Sequence, residues 1–208
     1  MINSMMTFFK TGGVFMLPIA AVALLAFSIV IDRLIVLFIH NYRIKKTAKQ
    51  FIKNIETADK ETALTILNHD SSILSLTLNE AIKSYKNNSD ISKDDFEELV
   101  NISAIHSVRL LTRRIVAIST FANVATLLGL LGTIMGLIQS FATVAENSQG
   151  NSSILSASVS VAMNTTAFGL MVAIPLLLIY LFIENTSNKA LESLQINCSL
   201  ITNKIFSL

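Results

Sequence analysis

From Ile115 to Ala145 the chain carries no charged residue. A bilayer core needs roughly 20 apolar residues of helix, so this run is long enough to cross one with turns to spare. Within it, Gly129, Gly132 and Gly136 fall at i, i+3 and i+7, on one face, where they let another backbone approach closely. Thr112, Ser119, Thr126, Thr133 and Ser140 recur every seven residues, a spacing that drifts only slowly around a helix of 3.6 residues per turn. One face is smooth and small, and another carries a file of hydroxyls. The stretch reads as the pore-lining helix of an ion-conducting assembly.

The rest of the chain agrees with a membrane setting. Of its 208 residues 52% are hydrophobic and only 14% charged, and the mean hydropathy is +0.60, where soluble domains carry about a quarter charged residues. A net charge of +2 is too small to argue for nucleic acid. Cys198 is the single cysteine, which excludes an internal disulfide and a cysteine metal site. His40, His69 and His106 show no ligand spacing, and the sequence implies no cofactor and no enzyme: no Ser/His or paired-carboxylate set lies at membrane depth.

Taken in order, Thr11 to Ile31 reads as a retained first membrane helix, with Gly12-Gly13 at its entrance and Pro18 in its first turns; it lacks the positive start and cleavage site of a signal peptide. Asp32-Arg33 then either pair or form a solvated helix end. Twelve of the sixteen Lys and Arg lie between Arg43 and Arg114. The positive-inside rule therefore places that segment in the cytoplasm, the amino terminus outside and the carboxyl terminus inside. Helices are expected over about Tyr42 to Glu56, Lys60 to Asn68 and Ser72 to Lys86, with a turn at Asn87 to Asp90. Ser92 with Asp95 three residues on is a capping-box-like start. No Gly or Pro follows until Gly129, so one unbroken helix is expected from Lys93 to Ala145. A short polar loop, Glu146 to Ser153, leads to a third charge-free helix, about Ile154 to Ile183, containing Pro175. Leu191, Leu194, Cys198, Ile201 and Ile205 then make a coiled-coil-like seam, expected to pack on the long second helix, with Cys198 as a small packed residue.

Ionisable residues inside a membrane usually mark an ion path. The second and third helices have none, so any titrating carboxylate must come from another polypeptide. What this chain offers is oxygen: Thr126, Thr133 and Ser140 on the second helix, and Asn164, Thr165 and Thr166 on the third. Such oxygens could coordinate Na+ or hold a proton-carrying water chain, or simply join helices. Sequence physics alone leaves both readings open.

The segment VATLLGLLGTIMGLIQSF, Val124 to Phe141, followed by AMNTTAFGLMVAIP, Ala162 to Pro175, resembles the MotA/TolQ/ExbB proton-channel family. GGVFMLPI with Asp32-Arg33 resembles the first helix of its ExbB/TolQ-like branch. The resemblance implies an all-α integral membrane protein with three transmembrane helices, the second and third extended into the cytoplasm, assembling as a pentameric helical bundle. It implies an inner-membrane homopentamer around a dimer of a single-span ExbD/TolR-like partner whose membrane aspartate is loaded and unloaded by ions. The work done would be of the kind that energises outer-membrane transport. Thr133 and Thr166 match the family's membrane threonines; Gly129, Gly132, Gly136, Gly169 and Pro175 match its packing positions. Where ExbB and TolQ proteins usually carry a glutamate this chain has Val161, which removes a protonatable group. Leu181 follows Tyr180 where an asparagine is common, and Thr126 stands where proline is frequent. Paired Thr165-Thr166 resembles sodium-driven members, so transient Na+ at Thr133, Thr165 and Thr166 is the alternative to H+; no resident metal is implied.

The expected organisation is therefore a periplasmic amino terminus and first membrane helix at 1–40, a cytoplasmic helical segment at 41–113, and a second membrane helix at 114–146. A periplasmic loop at 147–153, a third membrane helix at 154–184 and a cytoplasmic helix at 185–208 complete it. A passive homo-oligomeric scaffold without ion flux is the competing expectation, and Val161 is its best support.

Overall fold

The structure, a computed structural model, describes residues 13–57, 72–87, 91–146 and 152–207. Among them every regular element is a helix: α1 (Met16–Thr57), α2 (Ile73–Asn87), α3 (Lys93–Thr112), α4 (Ile115–Glu146) and α5 (Ser152–Phe206). The helix expected over Lys60 to Asn68 and most of the two polar turns, at Asn87 to Asp90 and Glu146 to Ser153, lie outside the described residues. Three helices, α1, α4 and α5, are long and apolar enough to cross a membrane. The 32 residues of α4 correspond to about 48 Å at 1.5 Å per residue, against a hydrocarbon core of about 30 Å.

The chain divides into two units, one of residues 1–32 and 114–181, the other of 33–113 and 182–208. In the first, the usual arrangement of a soluble protein is reversed. Many inward positions are small, with Ala26, Ala122, Ala125, Ala162 and Ala173 buried beside a few larger residues such as Met16, Ile19, Ile118 and Leu176, while Leu24, Phe27, Leu127, Ile138, Met163, Met171 and Leu178 face outward. Large aliphatic side chains can be left outward only where the surroundings are themselves apolar, as lipid or another helix is. Pro18 occupies the first turn of α1, where its missing N–H removes no helix bond. The turn that delivers the chain to it uses Gly13 in the left-handed region, φ 76°. Pro175 lies inside α5, which continues through it.

The second unit has a conventional core. Ile44, Phe51, Leu74, Leu78, Ile82, Phe96, Leu111, Leu194, Ile201 and Ile205 are buried. Tyr85, Phe96 and Phe206 meet edge to face, with centroids 5.5 to 6.3 Å apart. The Ser92 cap is present: its Oγ accepts from the Asp95 N–H at 3.1 Å and donates to Asp95 Oδ2 at 2.7 Å. Along the end of α5, Ala190, Leu194, Cys198, Ile201 and Ile205 are buried, whereas Leu191 is half-buried. The seam therefore runs one residue earlier at its start than the sequence suggested. It packs on α3, as Phe206 against Phe96 and the Ser187 Oγ donating to the Leu111 carbonyl at 3.4 Å attest.

The unbroken helix expected from Lys93 to Ala145 does not form. It stops at Thr112, turns through Arg113 and Arg114, and restarts at Ile115. Arg114 has φ 65°, a left-handed conformation rare for a side chain with a Cβ. What holds the turn comes from far away in the chain. Arg33, only 7% exposed, donates from Nη1 to the Arg113 carbonyl at 3.0 Å. A cation there satisfies a carbonyl that the helix end leaves open and suits the negative end of the α3 dipole. In the other unit, Asp32 and Arg114 pair at 3.9 Å, both about half exposed. Such a pair is screened and worth little by itself.

Candidate functional site

The candidate site is the α4–α5 seam. Because the two helices meet through residues without bulk, their backbones nearly touch. A Cβ placed on Gly169 would lie 2.7 Å from the Ala125 carbonyl oxygen and 3.1 Å from the Gly129 Cα. On Gly129 it would lie 3.2 Å from the Thr166 Cα, and on Gly136 2.7 Å from the Ala162 Cβ. Gly132 faces Thr165, whose Cγ2 would stand 2.5 Å from an added Cβ. Read down the seam, Ala125, Gly129, Gly132 and Gly136 of α4 meet Gly169, Thr166, Thr165 and Ala162 of α5, the order of two antiparallel helices.

The two threonines of α5 have different tasks. Thr166 Oγ1 donates to the Gly129 carbonyl at 2.8 Å, a bond from helix to helix. Thr165, 2% exposed, donates to the Val161 carbonyl of its own helix at 3.1 Å and packs its methyl over Gly132. Asn164 is half-buried one residue earlier. On α4, the hydroxyl file lies beside the glycine face. Thr126 donates to the Ala122 carbonyl at 3.2 Å, Thr133 to Leu130 at 2.6 Å and Ser140 to Gly136 at 2.7 Å. Thr126 and Thr133 are half-buried; Ser140 is fully buried.

This arrangement fixes what the hydroxyls can do. A hydroxyl has one proton to donate and two lone pairs. Each of Thr126, Thr133 and Ser140 gives its proton to its own helix backbone, so what it has left is acceptor oxygen. Acceptor oxygens suit a cation, a water, or the O–H of a protonated carboxylic acid. Among the described residues no group of His, Cys, Asp or Glu could hold a metal ion.

A groove of about 310 Å³ opens beside the seam, lined among others by Gly13, Phe15, Gln139, Val161 and Thr165. Its wall includes Gln139, a polar amide that the seven-residue pattern passes over, since it lies one position before Ser140. Its only sequence signal is a primary amide inside a charge-free run.

Residues 65–196, more than half of the chain, match the sequence pattern of the MotA/TolQ/ExbB proton channel family. The chain belongs to that family. It is 34% identical over 92 residues to the biopolymer transport protein ExbB of Aquifex aeolicus, 43% of this chain and 62% of that protein. An ExbB homologue of Methanothermobacter thermautotrophicus is 27% identical over 201 residues, 93% of this chain and 68% of that protein. An ExbB-like protein of Helicobacter pylori is 33% identical over 70 residues, 34% of this chain and 47% of that protein. The chain thus spans less than two thirds of the Aquifex protein's length in that match. Membership, with three helices long and apolar enough to span, makes this a multi-pass membrane protein, and the likeness is to the ExbB branch.

Proposed function

We propose that the chain is the membrane stator subunit of an ion-driven motor. Five copies surround a dimer of a single-span ExbD/TolR-like protein in the inner membrane, amino termini periplasmic and carboxyl termini cytoplasmic. H+ passes by loading and unloading a membrane aspartate on that partner, and the work goes to the cell envelope, as in energising outer-membrane transport. The observation that carries this reading is the α4 hydroxyl file: its protons are committed to backbone carbonyls, its lone pairs are free, and α4 and α5 bear no ionisable group at membrane depth. Thr133 is the acceptor facing the ion path, with Thr126 next along the file; Ser140, fully buried in the single chain, would join the path only on helix movement. Thr165 and Thr166 set the helix spacing around it, Asn164 adds an amide oxygen to the path, and Na+ in place of H+ would use the same oxygens.

The test separates conduction from packing. Thr133→Val removes an acceptor but no interhelical bond, so ion flux by the partner-bound complex falls at least tenfold while the complex keeps its native mass. If Thr133→Val conducts normally, the hydroxyl file is not the path. The competing reading is a passive scaffold, favoured by Val161 and by the Thr166–Gly129 bond, which serves packing. Under it, Thr166→Val loosens assembly and no variant alters flux, because none exists.

A further inference from the structure

The outward face of α1 changes chemistry along its length. Ile35, Phe38, Tyr42, Lys45, Lys49 and Lys53 follow one another at steps of three or four residues and so share one face. Ile35, Phe38 and Tyr42 are 55, 64 and 70% exposed, and the three lysines are exposed beyond them. The opposite face, with Leu37, Ile44, Ala48 and Phe51, is buried. The outward face is therefore aliphatic, then phenolic, then cationic. That is the order a helix meets on leaving a bilayer: hydrocarbon, the aromatic belt, then headgroups. At 1.5 Å per residue Lys45 lies about 5 Å beyond Tyr42 and Lys49 about 10 Å, within or close to one Debye length of the surface.

Two further facts make this more than a helix end that happens to be basic. No acidic residue occurs from Arg33 to Ile55, so Arg43 and Lys46 add to the same field without a local counter-charge in sequence. Lys45, Lys49 and Lys53 also line one groove of about 410 Å³, with Ala48, Ile52 and Asn197. The Asn197 amide donates to the Ser193 carbonyl at 2.6 Å and to the Ser193 Oγ at 3.3 Å, and Lys53 has another partner, so the Lys45 and Lys49 ammonium groups are the donors that carry the site.

We propose that this groove holds the phosphodiester headgroup of an anionic phospholipid from the leaflet into which α1 emerges. Ammonium groups recognise charge without bidentate geometry, so the site prefers anionic to zwitterionic lipid and does not distinguish among anionic headgroups. A phosphorylated peptide or nucleic acid is disfavoured because the apolar strip runs straight into the lysines, and only a lipid matches both. The inference needs α1 to span the membrane but is independent of ion flux.

Native mass spectrometry of the full-length protein in detergent, titrated with phosphatidylglycerol or phosphatidylcholine, tests it. The wild type retains phosphatidylglycerol in preference. At about fivefold in affinity per basic residue near a surface, the triple variant Lys45→Gln, Lys49→Gln, Lys53→Gln loses the preference by tenfold or more. The single variants Lys45→Gln and Lys49→Gln, each lowered about fivefold, decide the matter if the triple variant does not fold. Lys83→Gln, Lys86→Gln, Lys93→Gln removes the same charge from exposed positions elsewhere and keeps the preference. Equal loss in that control would mean net charge, not a site. Unchanged retention in the triple variant, or full displacement by millimolar inorganic phosphate, would also overturn the proposal.

Discussion

Thr165 and Thr166 are neighbours in sequence with the same side chain, yet one fills space and the other ties two helices together. The distinction has measurable consequences. Gly132→Ala drives a Cβ to 2.5 Å from the Thr165 methyl carbon, and because a β-branched side chain has little rotamer freedom on a helix, the clash is not easily relieved. Overpacking of this kind costs about 1–3 kcal/mol. Thr165→Ser removes that methyl, so the double variant Gly132→Ala/Thr165→Ser should recover part of the loss in a thermal melt. Gly169→Ala has no such remedy, since its added Cβ meets the backbone oxygen of Ala125 at 2.7 Å; it should melt lowest of the three. Thr166→Val should cost less, about 0.6 kcal/mol, the average for a hydrogen bond between membrane helices, and Thr166→Ser should restore it. The glycine spacing that makes the seam was readable in the sequence because 3.6 residues per turn converts spacing directly into a face. Which of two adjacent threonines bonds across the seam was not readable, because that depends on the register of the partner helix.

Helix ends divide in the same way. The start of α3 was legible because Ser92 and Asp95 are three residues apart and the bond that caps the helix lies between them. The end of α3 was not, because its carbonyl is bonded by Arg33, eighty positions away. Neither Gly nor Pro marks the turn, and Arg114 adopts φ 65° without help from its own side-chain type. Arg114→Gly tests how far long-range contacts hold this conformation against local preference. Glycine adopts positive φ without a Cβ penalty of roughly 1 kcal/mol, while the half-exposed Asp32 pair that would be lost contributes about 0–1 kcal/mol. The variant should be as stable as the wild type or slightly more so, and Arg114→Val, β-branched at positive φ, clearly less stable. Arg33→Met keeps much of the apolar stem but leaves the Arg113 carbonyl without its donor, and should lower the melting temperature more than Arg114→Gly does. If Arg33→Met melts with the wild type, the turn is held by something other than this bond.

At the scale of the molecule, the charge distribution decides what the chain can do by itself. Its cations and carboxylates lie outside the charge-free runs of α4 and α5, and the seam between those helices supplies only hydroxyl and amide oxygens. Oxygens of this kind can accept a proton-bearing group but cannot store a proton, since a hydroxyl does not titrate near neutrality. Moving an ion past them therefore needs a carboxylic acid that is neutral at membrane depth, where it can give its O–H to these acceptors, and charged where water reaches it. A charge fixed at the bilayer centre costs about 2.5–3.5 kcal/mol on insertion scales, which keeps such a group protonated until water reaches it. It follows that this chain, reconstituted alone in liposomes, should not collapse a pH gradient followed with an entrapped dye. Liposomes carrying it together with a single-span protein bearing a membrane aspartate should collapse the gradient, and Asp→Asn in that protein should abolish the effect. Thr133→Val in this chain should nearly do so. Flux through this chain alone would require a titrating group that the charge-free runs of α4 and α5 do not contain, and would count against a division of labour in which one polypeptide supplies the acceptors and the other the proton.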